Sequence, residues 1–369
     1  MRNGSGVLFV TRKFPPSVGG MQTLSAGVWR SLAQSGHGAG LIAHGGTNPG
    51  LVWWIPCALG RMAALLLRGQ VGGVLTGDAL AWAVTEPLLR LARVDRATMV
   101  MGLDVTYPGR IYRLLVHPAL RRAPRVIAIS AATARQAVRV GVAPERLEIL
   151  RLGVPAPAGS APRGDRGPAR AALAELVGLE EGGVVLATLG RLVRRKGMAW
   201  FVADVLPGLP SKVHYVVAGE GPEREAIRRA AGRAGVGHRV HLLGRVDDRV
   251  RAIVLGGCDV FVQPNIPTPG DMEGFGLVVV EAAMAGAPVV AARLEGVSDA
   301  VVDQQTGYLV TPGDAAAWVA TLGPLIGDPA AAAAIGHRFA ARAADLFSEE
   351  QMGRALAEIL SRAGHGSGT

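Results

Sequence analysis

The chain has 369 residues, more than one hydrophobic core ordinarily fills and about right for two domains. Hydrophobic residues make up 49% and charged residues 18%, while Gly 51 and Pro 23 stay below the level of a disordered or collagen-like chain. The net charge is +10, and only Lys13, Lys196 and Lys212 among the 39 basic residues are lysines. This balance reads either as a coding bias toward Arg, Ala and Gly or as attraction to anions, nucleotides or acidic lipid headgroups, with nucleic acid disfavoured by dispersed arginines and 5% aromatics. Two cysteines, Cys57 and Cys258, exclude a disulfide framework and a cysteine-rich zinc site, which fits a reducing cytoplasm.

Met1–Gly6 runs straight into the apolar Val7–Val10 with no charged-then-apolar leader, so no secretory signal is expected. In chain order, Val7–Thr11, Gly40–His44, Val71–Leu75, Thr98–Met101, Val126–Ser130 and Glu148–Leu152 read as strands. Between them, Gln22–Ser35, Ala58–Arg68, Ala79–Arg93 and Ala131–Val140 read as helices, the last capped by Ser130. The longest apolar run, Leu51–Leu67, contains Pro56 and Arg61 and is short for a membrane span. Its Trp53, Trp54 and Leu65–Leu67 beside Arg61 and Arg68 fit an anionic bilayer surface, or a core helix packed over two tryptophans; the second reading is slightly favoured.

Pro155–Pro168 (PAPAGSAPRGDRGP) has no apolar period and reads as a linker. The pattern then restarts with strands Val184–Leu189, Val213–Ala218, Val240–Leu243, Val260–Gln263 and Val289–Ala292. The helices are Ala199–Leu206, Glu223–Gly235, Arg249–Gly256, Leu277–Ala285 and Ala315–Ile326, then Ala330–Leu346 and Glu349–Arg362, with a frayed His365–Thr369. The expected domains are 1–154, a linker 155–168, 169–345, and a final helix and tail 346–369 packing back on the first domain. Alternating strands and helices define an α/β fold of two doubly wound parallel sheets, with ligands beyond the carboxyl ends of the strands.

The densest motif is Gly270–Glu281, GDMEGFGLVVVE. Glu273 and Glu281 bracket Gly274-Phe275-Gly276 between a strand end and a helix start, where free N–H groups suit a phosphate or sugar hydroxyl. Glu281 lies roughly 7 Å further along its helix than the opening turn. Against this stands a glycine-rich turn with two solvated glutamates, a reading that the strand, glycines and helix disfavour. Gly190-Arg191 with Lys196 is a second strand-to-helix turn, fit to meet a diphosphate or simply a solvated basic turn. Gly219-Glu220-Gly221-Pro222, with Pro222 at a helix start, and Phe14-Pro15-Pro16 before Gly19-Gly20 are weak alone. Asp104 in Met101-Gly102-Leu103-Asp104 is the best first-domain carboxylate for an acceptor hydroxyl, and equally a turn residue. No G-x-G-x-x-G follows the first strand, and no P-loop, G-x-S-x-G or metal-ligand cluster occurs, so no metal and no cofactor are expected.

With these residues in place, the chain resembles the retaining glycosyltransferases of family 4, whose GT-B architecture has two facing Rossmann-like domains and an inter-domain cleft. The E-x7-E run from Glu273 to Glu281 is the most specific element, joined by Gly190-Arg191, Lys196, Gly219-Glu220-Gly221, Gln263-Pro264-Asn265, Phe14-Pro15-Pro16, Gly19-Gly20 and Gly36-His37. The resemblance implies that Arg191 and Lys196 hold the donor diphosphate, Glu273 meets the sugar and Glu281 the ribose. It implies sugar contacts from Gly274, Phe275 and Gly276, phosphate contacts from Leu277 and Val278, and base contacts from Arg245 and Val246. Gly190, Gly219 and Glu220 belong to the same donor segments, and Gly20 closes over the diphosphate. Asp104 completes the implied catalytic set. Many relatives carry histidine where this chain has Met101, so the acceptor side departs from the pattern.

The implied activity is metal-independent transfer of a hexosyl group from a nucleotide diphosphate sugar, UDP slightly ahead of GDP, to a small-molecule or lipid-linked hydroxyl. A cytoplasmic protein with a peripheral contact at the inner membrane face is expected. The competing readings are a pseudo-glycosyltransferase, a sugar-nucleotide epimerase disfavoured by the Glu273/Glu281 frame, and a non-catalytic sugar-nucleotide-binding protein at a membrane.

Overall fold

The computed structural model describes residues 6–46, 48–155 and 166–362. They divide into two compact units, one of residues up to Pro155 together with those from Phe347 onward, the other ending at Leu346. The expected linker 155–168 falls mostly on residues 156–165, and the tail His365–Thr369 wholly on residues, that lie outside the described set.

The first unit holds a six-stranded parallel sheet in the order β2-β1-β3-β4-β5-β6. Its strands are β1 (Val7–Thr11), β2 (Gly38–Ala43), β3 (Gly73–Thr76), β4 (Asp95–Val100), β5 (Val126–Ala128) and β6 (Leu147–Ile149). Its helices before the linker are α1 (Gly20–Gln34), α2 (Leu51–Leu67), α3 (Ala79–Leu91), α4 (Leu103–Thr106), α5 (Arg110–Arg122) and α6 (Ala131–Arg139). The Ser130 side chain caps α6 by accepting the Thr133 N–H at 3.0 Å, as its position predicts. Helix α5 has no counterpart in the sequence-based reading: Pro118 and four arginines within thirteen residues hide its apolar period.

The second unit opens with α7 (Gly167–Val177), which begins inside the expected linker. Its sheet has the order β12-β11-β10-β7-β8-β9, all parallel. The strands are β7 (Val184–Leu189), β8 (Val213–Ala218), β9 (Val240–Gly244), β10 (Val260–Gln263), β11 (Val289–Ala292) and β12 (Tyr308–Val310). The helices are α8 (Met198–Trp200, continuing through a wider turn over Phe201–Val205), α9 (Arg224–Arg233), α10 (Asp248–Gly257), α11 (Leu277–Met284), α12 (Val297–Ala300), α13 (Ala315–Gly327) and α14 (Pro329–Phe347). Glu223 occupies the cap of α9, so Pro222 precedes the helix instead of opening it.

β7, β8, β10 and β11 are buried almost throughout, the continuous apolar run expected of parallel strands covered on both faces. Phe201, Tyr215 and Trp318 stack tilted or edge-on at the centre of this core. The last helix, α15 (Glu349–Ser361), belongs to the first unit and packs on α1. Arg30 pairs with Glu349 at 2.5 Å, and the Val154 N–H donates to the Phe347 carbonyl at 2.8 Å.

The two strand orders decide where ligands fit. Sheet order reverses direction between β1 and β3 in the first unit and between β7 and β10 in the second. At such a switch point the connecting helices leave toward opposite faces, so a crevice opens beyond the carboxyl ends.

Candidate active site

Beyond β7 the chain makes a tight turn, Arg194–Lys196, ending at Gly197 in the left-handed region (φ +67°). A Cβ at Gly197 would run into the Pro264 carbonyl, so only glycine lets this turn sit against the segment leaving β10. Gly219, after β8 at φ +145°, is pinned in the same way against the Gly190 carbonyl. The Ile266 N–H donates to the Arg195 carbonyl at 2.9 Å, tying the two sides of the crevice together.

Glu273 lies at the centre. One of its carboxylate oxygens accepts from Lys196 Nζ at 2.7 Å, Arg195 Nη1 at 2.6 Å and Asn265 Nδ2 at 3.4 Å. Burial pushes this carboxyl up, but Lys196 and Arg195 more than offset it, leaving its pKa below the usual carboxylate value. Burial pulls the Lys196 ammonium down, and Glu273 opposes that shift. Arg195 also reaches Asp271 at 2.9 Å. The Glu273 N–H is held by Glu295 Oε2 at 2.7 Å, and its carbonyl accepts from the Gly296 N–H at 3.1 Å. Glu295 is one of two described non-glycine residues with positive φ (+48°).

Helix α11 starts after Gly276 (φ +90°) with no side-chain cap, so the first-turn N–H groups of Leu277 and Val278 have no capping side chain. Four residues further, Glu281 is buried and paired with Arg251 of α10. Burial raises the Glu281 pKa, with Arg251 opposing. Arg191 and Glu220 are exposed, and Arg245 and Val246 follow β9, so all these residues share the carboxyl edge of the second sheet. The structure thus joins Lys196 to Glu273 directly, and arrays Gly190, Arg191, Gly219, Glu220, Arg245, Val246 and Gly274–Glu281 along that edge.

In the first unit Gly20 is the exposed first residue of α1. Asp104 is buried, and its two oxygens accept the Met101 N–H at 2.8 Å and the Ala79 N–H at 3.0 Å. Burial raises its pKa to about 6, the backbone bonds opposing and the nearby Asp78 charge adding. Its two oxygens thus join the turn after β4 to the start of α3, in keeping with the turn-residue reading. The switch point itself holds Arg12, whose Nε meets Asp78 Oδ1 at 2.7 Å; Asp78 also caps α3 through the Leu80 and Ala81 N–H groups. Beside it, α2 and α3 enclose an apolar recess lined by Leu51, Trp54, Ile55, Ala58 and Leu80, with Arg12 in its wall.

The structure adds Arg12, Asp78, Arg195, Arg251, Asp271 and Glu295 to the residues that the sequence motifs mark. Arg195 adjoins Lys196, and Asp271 lies in the Gly270–Glu281 run, so the sequence carries a signal for those. Arg251 and Glu295 meet their glutamates only through tertiary packing, and nothing in their local sequence marks them.

Two doubly wound units, each with a reversal of strand order, define a fold of GT-B type. Residues 183–328 match the family "Glycosyl transferases group 1". The chain is 31% identical to the GDP-mannose-dependent alpha-(1-6)-phosphatidylinositol monomannoside mannosyltransferase of Mycolicibacterium smegmatis, over 96% of this chain and 98% of that protein. It is also 31% identical to the D-inositol 3-phosphate glycosyltransferase of Nocardia farcinica, over 80% of this chain and 65% of that one. Among solved structures, Anabaena HepE in complex with UDP and glucose superposes with a TM-score of 0.77 at 20% identity, over 97% of this chain and all of HepE. The chain belongs to the group 1 glycosyltransferases and is an enzyme of the GT-B fold.

Proposed function

We propose that the chain is a retaining, metal-independent hexosyltransferase of glycosyltransferase family 4. In this reading it moves a hexose from a GDP-sugar to a hydroxyl of an inositol-bearing, lipid-linked acceptor. The observation that carries the reading is the Lys196–Glu273–Arg195 cluster at the second switch point, with Lys196 buried. Lys196 uses one N–H on Glu273 and keeps further donors for a diphosphate, with exposed Arg191 on the same turn as a planar fork. Such preorganised donors stabilise the leaving group by about 3 kcal/mol each. Glu273 contacts the sugar, Gly274, Phe275 and Gly276 its hydroxyls, and Leu277 and Val278 the phosphate. Glu281 binds the ribose and Arg245 and Val246 the base, with Gly190, Gly219 and Glu220 shaping the walls.

The acceptor oxygen attacks C1 on the face that the diphosphate leaves. The C1–O bond to phosphate breaks, the new glycosidic bond forms, and the acceptor's proton passes to the departing phosphate oxygen. Support for GDP over UDP is the relative matched over almost its whole length, named as GDP-mannose-dependent. Support for a lipid-linked acceptor is that same relative and the apolar recess beside Arg12.

Met101 and the fully engaged Asp104 favour one second reading, a sugar-nucleotide-binding protein without turnover. Labelled GDP-mannose and UDP-glucose, each with phosphatidylinositol vesicles in EDTA, separate the two. Mannose transfer with an axial anomeric product is expected. An equatorial product, or loss of transfer in EDTA, contradicts the mechanism; binding without transfer assigns the second reading.

A further inference from the structure

Helix α5 carries two apolar stripes on one thirteen-residue helix. Val116, Ala119 and Leu120 are buried, with Tyr112 packed against the same core. Ile111, Leu114 and Leu115 are instead 76%, 75% and 60% exposed. Their i, i+3, i+4 spacing puts them on one face, turned away from the buried one. Leu103 and Tyr107, just ahead in the chain, are exposed as well. A surface helix needs one apolar stripe to hold it in place, so a second signals a partner.

Charge identifies that partner. The helix contains Arg110, Arg113, Arg121 and Arg122 and no acidic residue. Arg122 is matched by Glu86, and Arg121 Nε donates to the Val140 carbonyl at 2.7 Å. Arg110 and Arg113 have no side-chain partner among the described residues. In the same unit, α3 packs against both α5 and α2, and α2 exposes Val52, Trp53 and Leu67 near Arg61 and Arg68. Two copies meeting face to face would oppose arginines on a chain already at +10. An anionic bilayer accepts both features, aliphatic side chains in the acyl boundary and arginines at the lipid phosphates.

We propose that the outward face of α5, centred on Ile111, Leu114 and Leu115, docks the protein on an anionic membrane. This deepens the lipid-acceptor reading, yet docking requires neither donor nor acceptor and is measured apart from catalysis. The test is cosedimentation of the full chain with phosphatidylcholine vesicles, with and without phosphatidylglycerol, at low and high salt. Binding to anionic vesicles that weakens in salt is expected. The variant Ile111→Ser/Leu114→Ser/Leu115→Ser, with unchanged Tm and GDP binding, is expected to lose at least about tenfold in partition. Arg110→Gln/Arg113→Gln, which touches no apolar side chain, is expected to lose the salt-sensitive part. Equal partition of the wild type and the triple variant, no binding to anionic vesicles, or equal binding to neutral ones overturns the proposal. So does a concentration-dependent dimer abolished by the triple variant, which assigns the face to a second copy. Failed transfer with intact docking leaves this proposal standing and contradicts only the activity.

Discussion

Between β1 and β3 the first unit matches Arg12 with an Asp78 whose remaining bonds cap α3, whereas between β7 and β10 the second unit sets Glu273 between two cations. Both crevices arise from the same reversal of strand order. In the first, each acid is committed to backbone: Asp78 to the start of α3, Asp104 to Ala79 and Met101. In the second, Glu273 is held by the side chains of Lys196 and Arg195, and Arg195 is shared with Asp271. A pair closed on its own backbone is architecture; Lys196, with one N–H on Glu273 and others to spare beside an uncapped helix start, is suited to an anion.

That contrast breaks first at Lys196. Lys196→Ala is expected to lower kcat by about 10²–10³, with little change in Tm because Arg195 still neutralises Glu273. Steady-state kinetics and a thermal melt check both parts. In the first unit, Asp78→Ala is expected to do the reverse. Losing the cap and the Arg12 partner costs about 2–4 kcal/mol of stability by urea unfolding, while GDP affinity stays unchanged.

Asp104 sharpens the comparison through pH. Its folded pKa of about 6 lies above its ordinary 3.8, so between these values the native state holds more protons than the unfolded chain. Stability from this group is therefore full below about pH 4 and is lost as pH rises to about 6, by about 2–3 kcal/mol. Unfolding at pH 4, 5 and 6 is expected to show this loss in wild type relative to Asp104→Asn, which lacks the titration.

The smallest expected effect is at Glu295, which holds the Glu273 N–H from a left-handed backbone position. Glu295→Gly relieves the strain but drops the bond, raising the donor KM severalfold, about 1 kcal/mol, at unchanged or higher Tm. Glu295→Gln keeps an acceptor and is expected to restore most of the KM.

Much of this was legible because parallel strands buried on both faces write continuous apolar runs. The apolar runs Val184–Leu189, Val213–Ala218, Val260–Gln263 and Val289–Ala292 coincide with β7, β8, β10 and β11. The glycine-framed Glu273–Glu281 segment was legible for a related reason: a strand end, a tight turn and a helix start leave local marks. Helix α5 was not, since exposed leucines, Pro118 and arginines blur its core stripe. The turn-residue reading of Asp104 covers its bond to the nearby Met101 N–H, but not the one to Ala79 at the start of α3, 25 residues away. Distant packing of this kind leaves no local pattern.

The account turns on the second switch point holding the donor diphosphate. Calorimetric titration of GDP into wild type and Lys196→Ala, both in EDTA, tests that most directly. Binding to wild type with at least about tenfold weaker binding to the folded variant is the predicted result. Equal affinity in the two proteins, or no binding to wild type, would contradict it.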